Sequence, residues 1–380
     1  MGLLLIPNAK ERMSRRRTAF VALAIGIVLA LAALMYWLTR PLPILTVATW
    51  SGPYGRAQAN ALFRPFGEER HVDVRIALYD GGLAELRRMV AAGHADWDVM
   101  DLELPDAIAA CREGLLEPID TGLLPPGADG TPATHDFVAN ALGRCWVGSV
   151  VYSQVIAYSQ KRFGDARPQT VADFFDLARF PGPRALRRGA KFNLELALLA
   201  DGVKPADVYD ELSTPKGLGR ALAKLESIRR SLVWWDNSAD AVAMLNDGRA
   251  AFATALNGDI YDAAQHGNAV GAIWDRQLYE LDVFALPRRG AKPELAMDFV
   301  RFATRSQSLA GVADWVPFGP ARLSALQFVG KNPELGTPMA PFLPTAGAHF
   351  ASAFPVDDAW WHQHGADVQA HWQAWLDSQN

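Results

Sequence analysis

The chain has 380 residues, 50% of them hydrophobic, and a formal net charge of -4. Single hydrophobic cores stop growing at roughly 250–300 residues, so this length and composition predict two cores and hence two lobes. The near-balanced charge, with no basic run beyond the N-terminus, excludes a nucleic-acid partner, which would need a concentrated basic face.

Lys10, Arg12, Arg15, Arg16 and Arg17 precede an uncharged apolar run from Thr18 to Leu38 that Arg40 and Pro41 end. At 1.5 Å per residue the run covers about 30 Å, the thickness of a bilayer core, whereas a secretory signal needs only roughly 7–15 apolar residues. It reads as a transmembrane anchor, residues 18–38, with a cytoplasmic N-terminus and with Tyr36 and Trp37 at the outer interface. Cleavage at Ala30-Leu31-Ala32 and release is the alternative. Either way the chain beyond Pro41 is exported to the periplasm.

Ile44 to Trp50 reads as a buried strand running into a turn, Ser51-Gly52-Pro53-Tyr54. A helix from Arg56 to Glu69, a strand Asp73 to Leu78, the Gly81-Gly82 turn and a helix Leu83 to Ala92 follow. Strand and helix alternating at this spacing predict a parallel sheet covered on both faces. Trp97 to Leu102 is a strand ending in acids, and the helix after it carries Cys111 and stops at Gly114. Cys145 to Ser159 resumes the sheet. In an oxidising compartment Cys111 and Cys145 form a disulfide worth about 3–4 kcal/mol, two buried thiols being the alternative.

Thr170 caps a helix through Leu177, and helices Leu194 to Ala200 and Pro215 to Arg230 come next. Ser231 to Asp236 is a strand. Then come a strand Ala251 to Leu256, the Asn257-Gly258 turn and a short helix ending near Gly267. Beyond it lie a strand Ala269 to Trp274, a loop, and a further strand Val283 to Leu286. A helix Glu294 to Thr304, a rigid turn Trp315 to Arg322 and a tail with Trp360, Trp361, Trp372 and Trp375 complete the chain.

Three stretches carry a resemblance: the block Trp97 to Asp120, the block Pro168 to Val203, and Leu256-Asn257-Gly258 followed by Asp282 ahead of Ala285-Leu286-Pro287. In these the chain resembles the family 1 extracellular solute-binding proteins of ABC importers, in their spermidine/putrescine-type branch. The resemblance implies an α/β, two-lobe periplasmic-binding-protein fold of type II, with mixed sheets flanked by helices. It places lobe I at 41–147 plus 282–322 and lobe II at 148–281 plus 323–380, after a basic tail and anchor at 1–40. It also implies a small-molecule solute caught by hinge closure and an ABC permease of the inner membrane as partner.

A flexible cation is held by carboxylates at its amines and aromatic faces along its methylenes. On the resemblance, Asp282 falls on the amine-binding acid, and Trp50 and Tyr54, with Ser51 between them, stand where aromatic contacts lie. Asp101 and Glu103 end a strand on the cleft side, and Tyr152, Ser153 and Gln154 follow the crossing between lobes. Trp235, Asp236, Asn257 and Tyr279 complete the expected lining. Each has a structural alternative: packing for the tryptophans, capping for Asp282, a turn for Asn257 and simple solvation for Glu103.

Leu256 and Glu280 depart from the polyamine pattern, which leaves a metal ion, an amino-acid derivative or an organophosphonate open as ligand. No GxSxG, HExxH or phosphate loop is present, so no enzyme and no cofactor is expected. His362, His364 and His371 fit a packing helix better than a metal site, because residues two apart on a helix face different ways. The rival functions are a membrane-anchored sensor with the same lobes and a periplasmic hydrolase on the same fold.

Overall fold

The computed structural model describes residues 41–378 together with positions 20, 21, 23, 25–29, 31 and 35. The chain divides into two compact units, Met1–Pro43 and Ile44–Asn380. In the first, the described positions between 20 and 35 are helical and 41–43 are not. Most of the expected anchor, Thr18 to Leu38, lies outside the described residues. Among the described residues no helix is long and apolar enough to cross a membrane.

The second unit is built on ten strands: β1 (Ile44–Thr49), β2 (Asp73–Leu78), β3 (Val99–Glu103), β4 (Trp146–Ser159), β5 (Arg184–Arg187), β6 (Leu232–Trp235), β7 (Phe252–Leu256), β8 (Val270–Ala285), β9 (Gly319–Pro320) and β10 (Phe354–Pro355). They join in one sheet in the order β2-β1-β3-β8-β4-β7-β5-β6, with β9 on β4 and β10 on β8. The ends of the sheet are parallel, but the edge strand β2 is largely exposed, so the expected cover on both faces is incomplete there. The middle is antiparallel, made by the two long strands β4 and β8. Both run unbroken through the expected lobe boundaries at 147/148 and 281/282. Their register slips between Gly148 and Val150 and between Gln154 and Ile156, and such bulges bend and twist a strand where it passes from one half to the other.

Two main cores flank that crossing. The first gathers Leu45, Val47, Leu102, Val151, Phe284 and Phe299. The second gathers Ile156, Phe174, Phe252, Leu278 and Trp372, with a smaller cluster around Trp235 and Leu245 beside it. Along β4 the change of core falls between Val151 and Ile156, and along β8 between Leu278 and Tyr279. Of the tail, Ala325 still packs in the first core, whereas Phe354 to Leu376 pack in the second.

Several elements differ from the sequence expectation. The first helix starts at Gly52, not Arg56, because Pro53 fits the first turn, where its missing N–H is no loss. The segment after Thr170 is a short 3₁₀ turn, Val171–Phe174, not a helix to Leu177. Arg184 explains this: fully buried, it donates to the carbonyls of Phe174 (2.8 Å), Gly182 (2.6 Å) and Phe180, and so fixes that loop. The stretch expected as strand, loop and strand is the single strand β8. Its polar middle misled: Asp275 accepts from Val171 N (3.0 Å), Arg276 has φ +56°, and Gln277 donates to the carbonyls of Pro344 and His349, both at 2.7 Å.

The Cys111–Cys145 disulfide is formed, with a Cα–Cα distance of 5.9 Å. The tail helix Asp358–Asp377 buries Trp360 and Trp372, and Trp361 Nε1 donates to buried Glu195 at 2.6 Å. His364 stacks on Trp360 at 4.9 Å, whereas His371 is exposed beside Asp367 at 3.7 Å.

Candidate functional site

Register builds the site. Glu103 of β3 lies opposite Asp282 of β8, and Tyr152 of β4 lies opposite Glu280. Alternate residues of a strand share a face. Asp101, Glu103, Glu280, Asp282 and Tyr152 therefore all stand on one face, at the place where the sheet passes from the first core to the second.

The helix Gly52–Gln58 closes over this face. Gln58 Nε2 donates to Asp101 Oδ2 at 2.7 Å, Thr49 Oγ1 donates to the same oxygen at 3.4 Å, and Thr49 also bonds Gln58. Tyr54 OH and Ser149 Oγ share a hydrogen bond of 3.1 Å. Rings surround the carboxylates. Trp50 meets Tyr79 edge-on at 4.9 Å, and Phe318 packs against Tyr54 at 5.3 Å and Tyr152 at 6.2 Å.

The electrostatics of this arrangement are unbalanced. Asp101 is fully buried and Asp282 is 5% exposed. One oxygen of each, Oδ1 in both, is buried without a hydrogen-bond partner among the described residues. Burial pushes Asp101 up to about 7, against the hydrogen bonds from Gln58, Tyr54 and Thr49 that favour its charged form. Burial first, then the charges of Asp101, Glu103 and Glu280, lift Asp282 well above the usual carboxylate range. Glu103, at the exposed end of β3, is raised by partial desolvation and then by the charge of Glu280. Like charges brought together out of water raise one another in this way, and a buried oxygen without a donor costs free energy until one arrives.

Among the described residues an ammonium also stands at the site, bonded to Glu280 rather than to Asp101 or Asp282. Lys191, on the loop after β5, bonds Glu280 and also donates to Asp358 Oδ1 at 2.9 Å. Burial lowers its pKa, but Glu280 and Asp358 outweigh burial and hold it above its ordinary value. Asp358 is lifted to about 7 by burial first, with Lys191 opposing and Glu280 adding.

Of the expected lining, Trp50, Tyr54, Glu103 and Asp282 meet here, with Gln154 two residues beyond Tyr152 on the same face of β4. The indole Nε1 of Trp50 and the Nε2 of Gln154 are buried without partners among the described residues. Ser51 is exposed just ahead of the helix. The other four are placed differently. Trp235 is in the smaller core of the second half, and Asp236 is exposed and paired with Arg188 at 3.2 Å. Asn257 has its amide fully used: Oδ1 accepts from Ser153 N at 2.9 Å, and Nδ2 donates to Pro317 O at 2.5 Å and Phe342 O at 3.3 Å. Tyr279 has the opposite strand parity from Glu280, and it is buried against Phe350 at 5.3 Å. Thr49, Gln58, Tyr79, Lys191, Phe318 and Asp358 were not expected. They come from separate segments, and no local pattern announces any of them.

Comparison with known proteins agrees with this architecture. The profile of the bacterial extracellular solute-binding proteins matches residues 61–337. A gamma-aminobutyric acid-binding protein of Pseudomonas aeruginosa is 35% identical over 331 residues, 87% of this chain and 90% of its own. Among solved structures, an ABC transporter substrate-binding protein from Bradyrhizobium japonicum matches 88% of this chain and 99% of its own at 27% identity, with a TM-score of 0.73. The Atu4243 GABA receptor matches 88% of this chain and 97% of its own at 28% identity, with a TM-score of 0.70. With two α/β halves joined by crossing strands and a match over most of its length, the chain belongs to the family of bacterial extracellular solute-binding proteins.

Proposed function

We propose that the protein is the extracytoplasmic receptor of an ABC importer, and that it captures a small solute carrying a primary ammonium on a short carbon chain. The observation that carries the reading is the pair of buried carboxylates, Asp101 and Asp282, each with an oxygen that lacks a donor. An ammonium has three N–H donors and one positive charge, which answers both deficits at once. Trp50, Tyr54, Tyr152 and Phe318 then offer ring faces to the cation and its methylenes.

The amine is common to both lines of kinship. A polyamine, which the spermidine/putrescine resemblance implies, and gamma-aminobutyric acid, which the Pseudomonas relative is named for, both end in a primary ammonium. In this reading the solute meets strand β3 and the helix Gly52–Gln58 from one half and residues of the second half from the other. It thereby selects the closed arrangement of the lobes before delivery to a permease.

Thermal shift tests it. A ligand at 100 times its Kd adds about 2.7 kcal/mol of stability, so primary amines at saturation are expected to raise the melting temperature of the purified chain by several degrees. The shift is expected to vanish in Asp282→Ala. A shift with dicarboxylates and none with amines would sink the reading.

A further inference from the structure

The site also specifies which amines fit, an inference that rests on the amine reading above. A diamine needs two anionic seats. Asp101 and Asp282 form one. The other acidic pair on the same side of the sheet, Glu280 and Asp358, already holds an ammonium, that of Lys191. Glu280 is two residues from Asp282 on β8, and its charge is felt by Asp282, by Glu103 and by Tyr152. The two seats are therefore neighbours in one field.

Lys191 is held in place rather than free to swing aside. Asn193 Nδ2 donates to the carbonyls of Arg187 and Gly189, both at 2.7 Å, which fixes the loop Arg187–Asn193. Phe192 adopts φ +73°, a conformation that a residue with a side chain keeps only where its surroundings demand it. The Phe192 ring lies 5.5 Å from Lys191 Nζ. Asp358, 4% exposed, stands within hydrogen-bond reach of the Glu280 carboxyl, and its buried Oδ2 has no donor among the described residues, so the pair can still accept from one neutral donor.

We infer that Lys191 supplies from the protein itself the second ammonium of a diamine, so that the cleft takes a monoamine with an uncharged, hydroxyl-like far end. A second ligand ammonium would be set beside that of Lys191. A ligand carboxylate would be set beside Glu280 and Asp358, two acids sharing a single cation.

Three four-carbon probes separate the cases in calorimetry of the full chain at pH 8: 4-amino-1-butanol, putrescine and 4-aminobutyrate. The parent is expected to bind 4-amino-1-butanol at least tenfold more tightly than either of the others. Lys191→Met empties the second seat and is expected to gain at least tenfold for putrescine. Lys191→Gln keeps donors toward Glu280 and Asp358 and gives the same reversal in a chain whose loop stays supported.

Parent binding of putrescine equal to or tighter than that of 4-amino-1-butanol overturns the inference, as does the absence of any gain in both variants. A preference for 4-aminobutyrate also overturns it, making Lys191 the anchor of a ligand carboxylate. In those outcomes binding that is lost in Asp282→Asn keeps the amine reading intact. Silence of all three probes on the parent removes both.

Discussion

Changing Asp282 to asparagine keeps the side-chain shape and deletes one of two buried carboxylates. Asp101 sets the scale. Its pKa rises on folding from 3.8 to about 7, and at about 1.4 kcal/mol per factor of ten in proton affinity this corresponds to roughly 4 kcal/mol. Such a group binds a proton in the folded chain that the unfolded chain has released. Its stabilising share is therefore fully present below pH 3.8 and is lost as the pH rises through about 7.

Asp282 is shifted in the same direction, first by burial and then by Asp101, Glu103 and Glu280. Its removal should leave the unliganded protein more stable at pH 8, with a higher melting temperature, and little changed near pH 4; each kcal/mol gained would read as roughly 2–4 °C. The assay is urea denaturation of parent and variant at pH 4, 6 and 8 without solute, repeated at pH 8 with a saturating primary amine. The variant should lose the amine response while gaining basal stability, and the pH slope should shrink without vanishing, because Asp101 remains. A variant less stable than the parent at pH 8, or a difference that does not change with pH, would refute the electrostatic argument.

Amine affinity should fall as the pH drops below about 7, by up to tenfold per pH unit for each carboxylate that must ionise; calorimetry at pH 5.5, 6.5 and 7.5 reads this, and a flat profile counts against Asp101 as a ligand. Arg184→Met strips the carbonyls of Phe174, Phe180 and Gly182 of their buried donor and should cost about 3 kcal/mol in denaturation, with loss of amide protection over residues 174–182. Cys111→Ser opens a loop spanning 34 residues and should cost about 3–4 kcal/mol, matched by adding reductant to the parent and absent when reductant is added to the variant.

The local pattern of the chain announces what local physics decides. The short strand β1 is largely apolar on both faces and reads as buried, and β3 reads as a strand that ends in acids. The cysteines need only an oxidising address to pair. The acid pair is half legible: strand parity puts Asp101 with Glu103, but only the register of β3 on β8 brings Asp282 opposite Glu103. The rest depends on contacts that no window of sequence spans. Lys191 and Asp358 meet across 167 residues. Asn257 looks like a turn residue, yet its amide ties β4 to Pro317, 60 residues away. The middle of β8 reads as a loop because its polar residues are used within the fold: Asp275 and Gln277 bond backbone groups of other segments, and the backbone N of Arg276 donates to Ser352 Oγ.

In the proposed reading, the same charges that make the site costly to bury make it selective. Asp101 and Asp282 are held out of water, which is unfavourable for carboxylates unless a cation takes the water's place. A neutral molecule leaves that cost in full, and an anion adds to it. An ammonium turns the same burial favourable, because its attraction to the carboxylates grows as the surroundings become less polar. In that reading closure is coupled to the charge of the guest through the desolvation of Asp101 and Asp282. The aromatic rings around them then only have to distinguish among cations, by the shape of what lies behind the ammonium.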